Sequence, residues 1–160
     1  MSVDVGMFAR LFGPPITRVE LDWDQLQASA SAVTVEVRDR GEELGGLFHP
    51  WYVSPAGEEA GWSDENARPV SATEWAQLRN GFSEHRRRRV RQLAGEYQAS
   101  KPPVQLLAGC YDIGEERRLV VDGNHRIAAV VESSVAFRLL ALTVCGPLDE
   151  SILPDLRHWP

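Results

Sequence analysis

The stretch Asp122-Gly123-Asn124-His125-Arg126 carries the residue types and spacing that bear most directly on chemistry. It follows the apolar run Leu119-Val120-Val121, which reads as a short buried strand. It precedes Ile127-Ala128-Ala129-Val130-Val131, in which Ile127, Val130 and Val131 share one helical face. The five polar residues therefore belong to a strand-to-helix turn. Asp122 or Asn124 can cap the new helix, and Gly123 supplies a permissive backbone. Amide groups at a helix N-terminus, together with the helix dipole, attract anions. His125 and Arg126 add donors at the same place, and the Asp122 carboxylate can hold a cation such as Mg²⁺. Together these make a phosphate cradle; the plainer alternative is a capped turn with a surface His and Arg, since short motifs recur by chance.

The elements that must position this turn can be read outward from it. Val104 to Cys110 forms a strand, Asp112-Ile113-Gly114-Glu115-Glu116 a hairpin turn, and Arg117–Val121 the returning strand. Beyond the motif helix, Val135 to Cys145 is largely apolar and reads as a central strand. Upstream, Ser71-Ala72-Thr73-Glu74 reads as a capping box. After it, Trp75, Leu78, Phe82, Val90, Leu93 and Tyr97 recur at helical steps, predicting a helix to about Ala99 with a break at Asn80-Gly81. Arg86 falls on that apolar stripe, whereas Arg87, Arg88, Arg89 and Arg91 lie mostly off it. A guanidinium on a buried face wants an anion, either a bound phosphate or an acidic side chain such as Asp122. The alternative is an Arg stem lying along the helix edge with its head in water.

Residues 1–15 suggest a short helix around Met7, Phe8, Leu11 and Phe12 that stops at Gly13-Pro14-Pro15. Ile16–Leu21 alternates as a strand, Trp23–Ala30 gives a helix turn or two, and Val33–Arg38 alternates strictly as a strand. Residues 41–70 are rich in Gly, Pro and Trp and predict an irregular segment with at most one short strand near Leu47–Val53. Its aromatics Trp51, Tyr52 and Trp62 either cover the core or stack on a base or substrate. The tail predicts a short helix near Ser151–Leu153 and docking through Trp159.

The chain has 160 residues, which bounds it to one domain with a core at about 70–146, an N-terminal part of strands and loop over 1–70, and a tail over 147–160. A chain of this size can bury roughly two thirds of its unfolded surface. The hydrophobic and charged fractions, 43% and 25%, are those of an ordinary globular protein, and no apolar run approaches the roughly 20 residues that span a bilayer. No membrane partner is expected. The first residues lack a basic start and apolar core, so a cytoplasmic location is expected. Cys110 and Cys145 are too few for a disulfide scaffold and sit in apolar segments. A net charge of −6 argues against broad wrapping on DNA, although 16 of the 17 basic residues are Arg and several cluster at Arg86–Arg91.

Val121-Asp122-Gly123-Asn124-His125-Arg126-Ile127-Ala128-Ala129 resembles the signature of the ParB/sulfiredoxin-like superfamily, whose members carry a Gly-x-His-Arg or Asp-Gly-x-His-Arg turn between strand and helix. The match runs from Pro102-Pro103 to about Gly146, in the order Pro-Pro, strand, hairpin, strand, motif, helix, strand. The resemblance implies a mixed α/β (α+β) fold, a small, partly parallel sheet with packed helices. It also implies that the turn binds nucleotide phosphates through Gly123, Asn124, His125 and Arg126; the place of Arg86 on the apolar stripe makes it a further candidate contact. Sulfiredoxins place a catalytic Cys where this chain has Asn124, so sulfinic-acid reduction is rejected. ParB partition proteins bind CTP here and continue into a helix-turn-helix domain, whereas this chain ends soon after the turn domain, which argues against DNA segregation in that form. Free serine kinases carry Asp-Gly-His-His-Arg, one residue different, and use the turn for adenine-nucleotide phosphates with a separate Glu as base.

Phosphoryl transfer needs immobilised phosphates, cations for the moving charge and a base near the acceptor. The expectation is a nucleotide-binding protein, taking ATP or another nucleotide with Mg²⁺ and a small-molecule substrate, with Asp122 and His125 catalytic and Asp122 the metal ligand. Glu20, Glu36, Glu84 and Glu96 are candidates for the base, and none is singled out by its position. The alternatives are a non-catalytic ParB-like nucleotide- or DNA-binding module and a ParB-like nuclease.

Overall fold

Alternate side chains of the central strands enter two different helical layers, and that alternation sets the architecture. The computed structural model describes residues 3–13, 20–30 and 32–159. One seven-stranded sheet is built from β1 (Ala32–Arg38), β2 (Leu47–Val53), β3 (Glu59–Ala60), β4 (Arg68–Ser71), β5 (Val104–Asp112), β6 (Arg118–Asp122) and β7 (Phe137–Cys145). The strand order is β1-β7-β5-β6-β2-β3, with β4 also paired to β2. The β5·β7 and β2·β6 pairs are parallel and the others antiparallel, so the sheet is mixed, as expected for this mixed α/β fold.

On one face, Tyr111, Leu119, Val121, Leu142 and Val144 pack beneath α1 (Val5–Phe12), α2 (Trp23–Ser29) and the C-terminal tail. On the other, Leu106, Ala108, Cys110, Val120, Leu139 and Ala141 pack against Ile127 and Val130 of α5 (Asn124–Ser133). Outside α5 lies α4 (Glu84–Ala99), which together with α3 (Trp75–Leu78) closes a third cluster around Trp75, Phe82 and Val90. A Cβ at Gly109 would lie 2.7 Å from the Phe12 ring, so glycine there lets α1 rest directly on β5. Among the described residues no helix is long and apolar enough to cross a membrane.

The helices over 5–12 and 23–29, the strand from 33 to 38 and the motif's hairpin, helix and following strand lie where the sequence places them. The expected helix break is also present: α3 passes into a single 3-10 turn over Arg79–Gly81, and Ser83 then caps α4. The capping box is present as the Ser71 amide donating to Glu74 Oε2 at 2.9 Å, on a 3-10 turn rather than an α-helix. Three expectations need correction. Residues 41–70 hold the strand expected near Leu47–Val53, which is β2, but also a 3-10 helix and the strands β3 and β4, because β2 pairs with both of these as well as with β6. The tail's helical turn lies at Pro154–His158 instead of Ser151–Leu153; Trp159 does dock, at 5% exposure. The motif helix is capped by Gly123 itself, with no side-chain hydrogen bond from Asp122 or Asn124. The strand expected over Ile16–Leu21 falls largely outside the described residues; Glu20 and Leu21 have no regular structure.

Candidate functional site

The end of β6 and the start of α5 open into a cavity of about 730 Å³. Asp122, Gly123, Asn124 and His125 form its floor on the motif side. Gly123 adopts φ 101°, a left-handed conformation natural to glycine, and a Cβ there would sit 3.1 Å from Leu107 O. This bend starts α5 at Asn124 and leaves its N-terminus facing the cavity without a side-chain cap, where the helix dipole favours an anion. Arg126 does not line the cavity. Its Nη2 turns back one helical turn to Asp122 Oδ2 at 3.0 Å, so the pair stabilises the turn and partly neutralises Asp122.

Asn124 faces inward. Its Nδ2 donates to Val120 O at 3.1 Å, and its Oδ1 lies 2.7 Å from Nδ1 of the fully buried His49. With the amide so oriented, His49 Nδ1 carries the proton and donates, and Nε2 is a buried acceptor with no hydrogen-bond partner among the described residues. Burial is the main reason the His49 pKa falls from 6.5 to about 4; the Arg86 and His125 charges lower it further, against the Asn124 bond. The imidazole stacks on Trp51, 4.2 Å between ring centroids, and Trp51 in turn lies 5.1 Å from His125. This buried ladder ties the motif to β2.

Arg86 points inward and lines the same cavity, as its place on the apolar stripe implies. Its counter-charge is Glu59 on β3, not Asp122: Nη2 and Nε lie 2.8 and 2.9 Å from Glu59 Oε1. The other oxygen of Glu59 accepts from the Ser83 amide at 2.7 Å, ahead of α4. The Arg86 guanidinium lies 4.3 Å over the Trp51 ring, a desolvated cation–π contact. Burial lowers the Arg86 pKa, and Glu59 opposes that shift. Arg88 is exposed, as expected, but Arg87 is partly buried, donating to Phe82 O at 3.1 Å and pairing with Glu84 at 2.9 Å.

Glu20, Trp62 and Asp155 also line the cavity. Asp155 is 5% exposed and accepts a short hydrogen bond from the Tyr52 hydroxyl. Burial raises its pKa, with Glu20 adding to the rise and the Tyr52 bond opposing it. Of the four Glu candidates for a base, only Glu20 lines the cavity. Glu36 is held by Arg38 and Arg118, Glu84 by Arg87, and Glu96 accepts from Gln92. Sequence reasoning missed His49, Glu59 and Asp155; the only signal for His49 was its place beside Pro50-Trp51 in an aromatic segment. Trp51 and Tyr52 cover the core, at 6% and 2% exposure, while Trp62 is 37% exposed.

Among the described residues no three His, Cys, Asp or Glu side chains are grouped to hold a metal ion. The donors present do not form a resident Mg²⁺ site, since Asp122 is one carboxylate already paired with Arg126. Compared with protein-family models, curated proteins and solved structures, the chain has no significant match.

Proposed function

We propose that the cavity binds a nucleotide, ATP or a close relative, with its phosphates on the Asp122–His125 turn, and passes a phosphoryl group to a small hydroxyl-bearing acceptor or to water. The supporting observation is convergence: an uncapped helix N-terminus, His125, the half-buried Arg86 and the buried carboxylate of Asp155 all line one cavity. The ParB/sulfiredoxin-like character of the turn points the same way. Trp51 is buried beneath His49 and Arg86, so a base would stack on Trp62, which is 37% exposed and has the Arg157 guanidinium 5.9 Å from its ring. Asp155 takes the proton of the acceptor hydroxyl while that oxygen forms its bond to the terminal phosphorus and the bond to the nucleotide's bridging oxygen breaks. A carboxylate raised toward neutrality by burial is suited to this role.

Thermal-shift titration with nucleotides, with and without Mg²⁺, tests the binding half. A saturable rise in Tm with one nucleoside triphosphate is expected; no rise with any nucleotide overturns the reading. A second reading, a DNA-binding or nuclease module, draws on the exposed Arg88, Arg89 and Arg91 of α4. The net charge of −6 opposes it. Tight, steeply salt-dependent shift of generic duplex DNA would favour it over the small-substrate enzyme.

A further inference from the structure

A second cavity, of about 440 Å³, lies where α3, α4 and α5 meet, with its own lining residues. Two of them carry buried polar atoms left without a hydrogen-bond partner among the described residues: Trp75 Nε1, a donor, and Glu132 Oε2, an acceptor. Trp75 is 0% exposed, and burying an indole N–H with its bond unmade is costly. Glu132 uses its other oxygen to accept from Arg79 at 2.7 Å. Arg87 is occupied by Glu84 and Phe82 O. Arg91, on the cavity's rim, forms no ion pair among the described residues. The lining residues therefore hold one unused N–H and one unused carboxylate oxygen, both without accessible surface until neighbouring side chains shift, and one guanidinium with no ion pair among the described residues, with three Arg charges against one Glu.

We propose that this cavity is a binding site for a small carboxylate bearing an adjacent hydroxyl or ammonium group. The ligand's carboxylate accepts from Trp75 Nε1 and pairs with Arg91, while its hydroxyl or ammonium donates to Glu132 Oε2. A plain anion such as acetate meets the first two groups and leaves Glu132 unsatisfied. The pocket stands apart from the motif cavity and does not depend on nucleotide binding there.

The test is an NMR titration of the full ¹⁵N-labelled chain at constant ionic strength with glycolate, glycine and acetate. The chain has five Trp, hence five indole N–H signals, and that of Trp75 is assigned by Trp75→Phe or, should that variant not fold, by triple-resonance experiments. The Trp75 signal is expected to move saturably with glycolate or glycine, and about tenfold less tightly with acetate, the scale of one charge-assisted contact. Arg91→Met should weaken glycolate or glycine about tenfold, Arg88→Met should not, and Glu132→Met, which leaves no oxygen acceptor, should erase the preference over acetate. A Trp75 signal unmoved by any of the three, meaning that water alone serves the two groups, overturns the proposal. So does movement with the same affinity in Arg91→Met.

Discussion

His49 couples the candidate site to the stability of the protein. Its folded pKa lies near 4 against 6.5 for the free side chain, so between those values the unfolded chain holds a proton that the native state refuses. Stability must therefore fall as pH drops through that window, by ~3 kcal/mol at full extent for a depression of this size. Buried Asp155 acts in the opposite sense, because its pKa is raised and the native state takes its proton first. In His49→Phe the His49 share of the slope should disappear from denaturant melts between pH 6.5 and 4; an unchanged slope would show that the imidazole is not buried neutral. Arg86 supplies the second prediction at this scale. Glu59 holds Arg86 much as a bound anion would, so Glu59→Gln should tighten nucleotide binding several-fold and Arg86→Met should weaken it about tenfold. Arg88, 75% exposed, is the control. Calorimetric titration giving equal, small effects for Arg86→Met and Arg88→Met would remove Arg86 from the site.

At the scale of elements, two glycines set how close the layers come. Gly109→Ala would drive a methyl into the Phe12 ring and lift α1 from β5, costing ~1–3 kcal/mol as overpacking does. Gly123→Ala would impose a left-handed conformation on a residue with a side chain, at ~1–3 kcal/mol, and would also misalign the start of α5. Both should lower Tm, but only Gly123→Ala should also weaken nucleotide binding; equal loss of binding in both would mean that the turn has no special role. Gly123 was legible because a glycine between an apolar strand and an amphipathic helix has few other uses. The long elements were legible for a similar reason: α4, α5 and β5 to β7 carry their period over enough residues to be counted. Of the strands between 47 and 71, only the one at Leu47–Val53 was expected, and the two that pair with it were not. β2 contains Pro50 and β4 contains Pro69, β3 is two residues long, and the register of β2 on β4 shifts between His49 and Tyr52. Proline at such an irregularity is compatible with a strand, but only the neighbouring strands show that a sheet is there.

At the scale of the whole molecule, the motif cavity draws on segments that are far apart in the chain: Glu20, the middle of β2, the start of α4, the turn after β6 and the tail. A single local motif can announce only the fourth of these, which is why the turn's part of the lining was readable and the rest was not. Asp155 illustrates the difference. In sequence it is one acid in a polar tail; in the fold, Ile152, Leu153, Leu156 and Trp159 anchor that tail in the core and fix the carboxylate beside Tyr52, which is 103 residues away. Anchoring is separable from chemistry. Leu153→Ala removes buried contacts and should cost ~2–5 kcal/mol, displacing the whole tail. Asp155→Asn keeps the shape and an acceptor for Tyr52 while abolishing the base. It should leave nucleotide affinity within about twofold and reduce phosphoryl transfer about 10²–10⁴-fold, the usual contribution of a positioned base. Tyr52→Phe, which removes the hydroxyl opposing the raised Asp155 pKa, should move the acid limb of the rate profile to higher pH. Full activity in Asp155→Asn at saturating nucleotide would assign Asp155 a purely structural part and pass the proton to Glu20, another carboxylate lining the cavity.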